Sequence, residues 1–125
     1  MKDIQGKPDI KLFVDSFYNK VQKNSVLSPY FNEVVKVDWP HHLPKMYSFW
    51  ETILLDKGDY KGNPIIKHQH VDQLKEINKE SFETWLGLFH ETIDELFEGP
   101  KAQLAKTRAL SIATMIEIKL IQARG

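Results

Sequence analysis

Five histidines, at positions 41, 42, 68, 70 and 90, are the side chains of this sequence best suited to hold a metal, since imidazole is the commonest biological metal ligand. Their spacing limits what they can do. No His-Glu-x-x-His run exists, which excludes the zincin pattern. Ile65 and Gly87 stand three residues before His68 and His90, which excludes the Glu-x-x-His pairs of di-iron helical bundles. The chain has no cysteine, and so no disulfide, thiolate ligand, iron–sulfur cluster or nucleophilic thiol. There is no Gly-x-x-x-x-Gly-Lys phosphate cradle, no Gly-x-Gly-x-x-Gly turn and no Gly-x-Ser-x-Gly elbow. What remains is His68, just past a glycine- and proline-rich stretch, in a chain with seven Phe, four Tyr and three Trp. Those rings could surround a large flat apolar ligand. By spacing alone, however, His68 reads first as an ordinary surface or packed histidine, and Trp50 and Trp85 read first as core.

The elements that would position these residues are helical. From Pro8, Ile10, Phe13, Val14, Phe17 and Val21 fall at helical spacing and predict an amphipathic helix ending near Asn24. Residues 25–37 carry Pro29 and read as a loop with a short turn. Asp38 then offers a cap ahead of Trp39 and Pro40. Leu43, Met46, Tyr47, Trp50, Ile53 and Leu54 line one face of the helix that follows, on which Pro44 is acceptable only in the first turn. Residues 56–64 hold two glycines and a proline and predict a loop. Residues 65–77 are weakly periodic, suiting a short helix or irregular segment. Asn78 caps a strongly periodic helix carrying Phe82, Trp85, Leu86, Phe89, Ile93, Leu96 and Phe97, stopped by Gly99-Pro100. Ala105, Ala109, Ile112, Ala113, Ile116 and Leu120 form the stripe of a last helix. No segment alternates with period two, so the fold class is all-α, helix packed on helix.

The chain of 125 residues suits one domain, 1–125. Its 42% hydrophobic and 27% charged residues are the balance of a folded globular protein. Seventeen basic against seventeen acidic side chains leave no electrostatic footprint for nucleic acid or an anionic membrane. No stretch approaches the roughly 18 apolar residues of a spanning helix, and residues 1–8 do not resemble a signal sequence, which makes the cytoplasm the expected compartment.

Four motifs occur together: Phe17-Tyr18-Asn-Lys-Val21; Phe49-Trp50 with Leu54-Leu55; Gly58-Asp-Tyr-Lys-Gly62-Asn-Pro64 ending in Lys67-His68; and Phe82-Glu-Thr-Trp85-Leu-Gly-Leu-Phe89. In this order and at these separations, from about residue 10 to about residue 120, they resemble the signature of the group III truncated haemoglobins. The resemblance implies a truncated globin fold, a two-over-two helical sandwich around haem b (iron protoporphyrin IX). It assigns His68 as proximal iron ligand, Tyr18 as distal hydrogen-bond donor, Trp85 as a second donor reaching the bound ligand, and His42 as the distal histidine. Lys45, one turn on, would meet a haem propionate, and Phe31, Trp50, Ile66 and Phe89 would line the cofactor. His70 and His41 compete with His68 and His42 for these places; the Lys67-His68 junction favours His68. Covalent haem attachment is excluded for want of a Cys-x-x-Cys-His run.

A pentacoordinate iron facing Tyr18, Trp85 and His42 would take dioxygen, nitric oxide, carbon monoxide or peroxide. The resemblance thus implies oxygen or nitric-oxide chemistry, or peroxide activation, rather than oxygen delivery. Nitric-oxide dioxygenase and peroxidase-like activity are both compatible with it, with a reductase or other electron donor as partner in a bacterial cytoplasm. The competing expectation is a cofactor-free helical module presenting its apolar stripes to a protein partner. Periodicity fits both, but only the first accounts for the ordered motifs.

Overall fold

The computed structural model describes residues 1–34, 36–56, 68, 71–72 and 75–124, with Glu33 and Val34 as backbone only. The described residues build four long helices, α1 (Lys7–Lys23), α2 (Trp39–Leu54), α3 (Lys79–Leu96) and α4 (Pro100–Arg124). A π-helical turn, Tyr30–Val34, lies between α1 and α2, and no strand occurs among the described residues. α3 packs most extensively on α4, α1 packs on both α2 and α3, and α2 also reaches α4. The α1–α2 pair therefore lies over the α3–α4 pair, the expected two-over-two arrangement.

Local chemistry accounts for each boundary. α1 begins with a proline in its first turn, where a missing N–H costs nothing. It buries Ile10, Phe13, Val14, Phe17, Tyr18 and Val21 along one face. Asn24 ends it and opens the next turn by accepting from the N–H groups of Val26 (2.9 Å) and Leu27 (3.1 Å). Asn78 caps α3 through Ser81 N–H at 2.9 Å. Tyr30 ties the π-helical turn to that cap, donating to Glu76 O at 2.6 Å with Ser81 Oγ 3.1 Å away.

Two details differ from the sequence expectation. Asp38 occupies the cap position of α2 but makes no side-chain cap hydrogen bond. Pro44 lies inside α2 in its second turn, not its first; the Pro40 carbonyl it cannot serve belongs to an exposed residue, so water can satisfy it.

The polar amino terminus is structural. Asp3 accepts from the N–H groups of Lys101 (2.9 Å) and Ala102 (2.8 Å), capping α4 from the opposite end of the sequence. Ile4 beside it is 1% exposed. Gly99 makes this possible: its φ is +140°, and a Cβ there would lie 2.6 Å from Asp3 Cγ. Ala102, Ala105 and Ala109 of α4 share the core with Phe89, Ile93 and Phe97, small side chains complementing large ones.

Candidate functional site

A continuous set of rings fills the interface of α1, α2 and α3. Phe17 and Tyr18 are adjacent on α1, about 100° apart around the helix axis, and so serve two directions. Phe17 meets α3, its ring edge-on to Trp85 (5.6 Å) and Phe89 (5.3 Å). Tyr18 faces α2 and the π-helical turn, with ring centroids 5.5 Å from His42, 5.4 Å from Trp39 and 6.1 Å from Phe31. Its own ring lies 5.0 Å from that of Phe17. Phe17 therefore separates Tyr18 from Trp85 by one ring.

Trp85 and Phe89, four residues apart, share one face of α3. Trp85 stacks on Phe89 at 5.7 Å and 17°, and Phe89 stacks on Trp50 of α2 at 5.0 Å and 24°. Phe13 closes the cluster edge-on to Trp50 and Phe89. Tyr18, Trp50 and Phe89 are buried, whereas Trp85, His42 and Phe31 are half-buried. The rings of Tyr18, His42 and Trp85 thus belong to one continuous set of aromatic side chains.

Lys45 is exposed on α2. His68 has helical backbone and a half-buried side chain, and Val71 and Asp72 are helical as well. Ile66, Lys67, His70 and the Gly58–Pro64 motif lie outside the described residues. His41 is exposed, and the buried Nε2 of His90 on α3 has no hydrogen-bond partner among the described residues. No group of three His, Cys, Asp or Glu among the described residues could hold a bare metal ion.

Four features were not anticipated by sequence reasoning. Trp39 stands three residues before His42 on α2 and stacks on Phe31 at 5.6 Å and 28°. The Trp39-Pro40 helix start marks the place but not the ring's target. The Tyr47 hydroxyl donates to Asp15 in a short hydrogen bond linking α2 to α1. Burial and then the Asp15 carboxylate push the Tyr47 phenol up to about 12, so it stays a donor at neutral pH. Arg124, the last residue of α4, forks onto Asp72, with Nε to Oδ2 at 3.0 Å and Nη2 to Oδ1 at 2.5 Å. The Arg124 pairing, outweighing burial, holds the Asp72 carboxyl below its ordinary value. Tyr30, on Ser81 and Glu76, is the fourth. These polar pairings span long sequence distances, and residue spacing carries no signal for them.

The family model of bacterial-like globins matches residues 2–117. Among curated proteins, the chain is 33% identical over 123 residues to "Group 3 truncated hemoglobin ctb" of Campylobacter jejuni, covering 96% of this chain and 94% of that protein. Among solved structures, the fold matches a group III truncated haemoglobin from Campylobacter jejuni with a TM-score of 0.83 and 32% identity, over 96% of this chain and 95% of that one. With its helix order, two-over-two packing and ordered motifs, the chain belongs to the bacterial-like globins and, within them, to the group III truncated haemoglobins.

Proposed function

We propose that this single-domain chain binds haem b through His68 and handles dioxygen, nitric oxide or peroxide beside Tyr18, Trp85 and His42. The family supports haem-based binding of small ligands in general; the ligand set and the residue roles are our reading. The observation that carries it is the ring geometry, in which a phenol, an imidazole and an indole share one aromatic wall across α1, α2 and α3. These residues fit a planar apolar group. Phe31 and Trp85 offer aromatic surface that is not fully buried, Lys45 offers an exposed cation for an anionic substituent, and His68 offers an imidazole that would hold the iron.

Haem b, when bound, supplies an iron with one open coordination position for a diatomic ligand or peroxide. The chain's residues do the rest. His68 provides a ring nitrogen for the proximal bond. Tyr18 and Trp85 donate hydrogen bonds from O–H and N–H to a ligand that carries partial negative charge, and His42 stands at its entry. Donors already fixed by packed rings need no reorganisation when charge develops, and a dry site strengthens them. Such a pocket retains dioxygen, which suits oxygen or nitric-oxide chemistry, or peroxide activation, with an electron donor as partner. No described helix is long and apolar enough to cross a membrane.

The test is a visible spectrum of the protein purified with haem available. A Soret band is expected, lost or made dependent on added imidazole in His68→Gly and nearly unchanged in His70→Gly. Exchange of those two results would move the proximal ligand to His70. No band in the unaltered protein would leave the cofactor-free helical module as the better reading.

A further inference from the structure

We propose that Trp39 is a positioning residue that fixes the His42 imidazole against the Tyr18 phenol, an inference that rests on the haem reading above. The indole stands among the three rings it would hold in place. Its centroid lies 5.4 Å from that of Tyr18, 5.6 Å from that of Phe31 and 5.7 Å from that of His42. These rings come from three segments: α1 supplies Tyr18, the π-helical turn supplies Phe31, and the first turn of α2 supplies Trp39 and His42. Trp39 meets His42 edge-on at 79°, and His42 meets Tyr18 edge-on at 84° and 5.5 Å, an arrangement that ring quadrupoles favour. Tyr18 and Phe31 also meet, at 6.1 Å. The four rings close on one another, so His42 cannot turn without opening a ring contact.

The backbone around His42 explains why a side chain is needed for this. The N–H groups of His41 and His42 both reach Asp38 O, at 3.1 Å and 2.8 Å. Pro44, however, carries no N–H for the Pro40 carbonyl, so the first turn of α2 is tied less firmly to the second. Trp39 is the first residue of α2, beside Pro40, whose fixed φ suits a helix start. It stands three positions before His42, on the same face. Phe31 stacks on its other side at 28°, and Val37 N–H donates to Phe31 O at 2.9 Å, which ties the π-helical turn to the segment entering α2. The indole therefore gives the turn that carries His42 the lateral support that its hydrogen-bond ladder lacks.

The experiment uses the haem-loaded, ferrous, carbon monoxide-bound full chain with Trp39→Leu, which keeps apolar bulk without a ring, and Trp39→Phe, which keeps a smaller ring. Two signals are read: the nuclear Overhauser contact between the Tyr18 and His42 rings, and the infrared stretch of the bound carbon monoxide, which responds to the donors around it. Leu120→Ala, at a buried position of α4 outside the core cluster that these rings join, serves as a variant that loses stability alone. Trp39→Leu is expected to weaken the Tyr18–His42 contact, to shift or split the stretch, and to speed dioxygen dissociation roughly 2- to 12-fold, the size of one aromatic pairing. Trp39→Phe should fall between. Leu120→Ala should lower the melting temperature with contact and stretch unchanged. An unchanged Tyr18–His42 contact in Trp39→Leu would make Trp39 a packing residue only and overturn the proposal, whatever the melting temperature does. The same weakening in Leu120→Ala would trace the effect to general loosening and overturn it as well. If Trp39→Leu fails to fold, Trp39→Phe decides the same question. No Soret band in the unaltered chain would sink the haem reading, and the Overhauser contact in that chain and its variants would still decide whether Trp39 positions His42.

Discussion

Two regions of this molecule are held by different physics. Where α1, α2 and α3 meet, rings pack on rings: Phe13, Phe17, Trp50, Trp85 and Phe89 stack or meet edge-on at 5.0–5.9 Å. At the two ends of α4 the contacts are charges and hydrogen bonds, Asp3 on Lys101 and Ala102 at its start and Arg124 on Asp72 at its close. The first region holds Tyr18, His42 and Trp85; the second holds Asp3 and Asp72. Apolar packing carries no charge to titrate, whereas contacts that depend on an ionised carboxylate weaken as it takes up a proton. The aromatic region is thus built to stay fixed, and the ends of α4 are held by contacts that conditions can loosen.

Removing a ring from the first region should have the largest effect. Phe13 is fully buried, edge-on to Trp50 and Phe89. Phe13→Ala should cost about 3–5 kcal/mol of stability, the transfer term plus a cavity that stacked rings cannot collapse into. Urea unfolding of the haem-free chain measures it. A loss below about 1 kcal/mol would mean that the ring region is not what holds the helices together.

Removing only a hydroxyl from the same region separates packing from chemistry. Tyr18→Phe keeps the ring against Trp39, His42 and Phe31, and should cost much less stability than Phe13→Ala. It should, however, speed dioxygen dissociation. A hydrogen bond to a charged acceptor contributes about 1.5–3 kcal/mol, or roughly 10- to 150-fold in rate if the whole loss appears in dissociation. Carbon monoxide, nearly apolar when bound, should leave at a nearly unchanged rate. Stopped-flow replacement of oxygen by carbon monoxide reads this directly. An unchanged oxygen rate would mean the phenol points away from the ligand, and a larger effect from His42→Leu would make the histidine the principal donor.

What the sequence made legible follows the same division. Helical periodicity predicted the faces of α1, α2 and α3, because burial of Phe13, Phe17, Trp50, Phe89 and Ile93 is repaid locally, turn by turn. The Asn78 cap and the Gly99-Pro100 stop were readable for the same reason. The ordered motifs pointed to the ring region because most of its members lie on those faces. Trp39 was missed as a neighbour of Tyr18 and His42, since its place depends on the turn at 30–34 folding Phe31 under it. The clamps at both ends of α4 were not legible at all. Asp3 finds Lys101, and Arg124 finds Asp72, only after the helices have packed, and one acidic residue among seventeen carries no mark of its partner. Pro44 was misplaced because the first-turn rule assumes a carbonyl that needs an internal partner, whereas Pro40 is exposed to water.

The smallest expected effect, and the most selective, is acid loosening of the second region. Asp3, Asp9 and Asp72 all have carboxyls held below their ordinary value of 3.8. For Asp3 and Asp9 burial pushes upward but is outweighed by donors, the N–H groups of Lys101, Ala102 and Ile4 on Asp3 and those of Gln5 with the Lys2 ammonium on Asp9. For Asp72 the Arg124 fork dominates. The sign follows from proton linkage. A carboxyl that is more acidic folded than unfolded stabilises the fold fully above the unfolded value near 3.8, and that contribution is lost as pH falls through the folded value. Between pH 5 and pH 2, exchange protection at the amides of Lys101, Ala102 and Ile77 should therefore fall before that at Phe17 or Ile93. Asp3→Asn keeps an acceptor but removes the charge. It should cost about 1 kcal/mol or less at pH 7, the size of a helix cap, and the difference from the unaltered chain should shrink as Asp3 protonates. If all amides instead lose protection together, the α4 clamps and the ring cluster form one cooperative unit, and the contrast between the two regions would be one of chemistry without a difference in local stability.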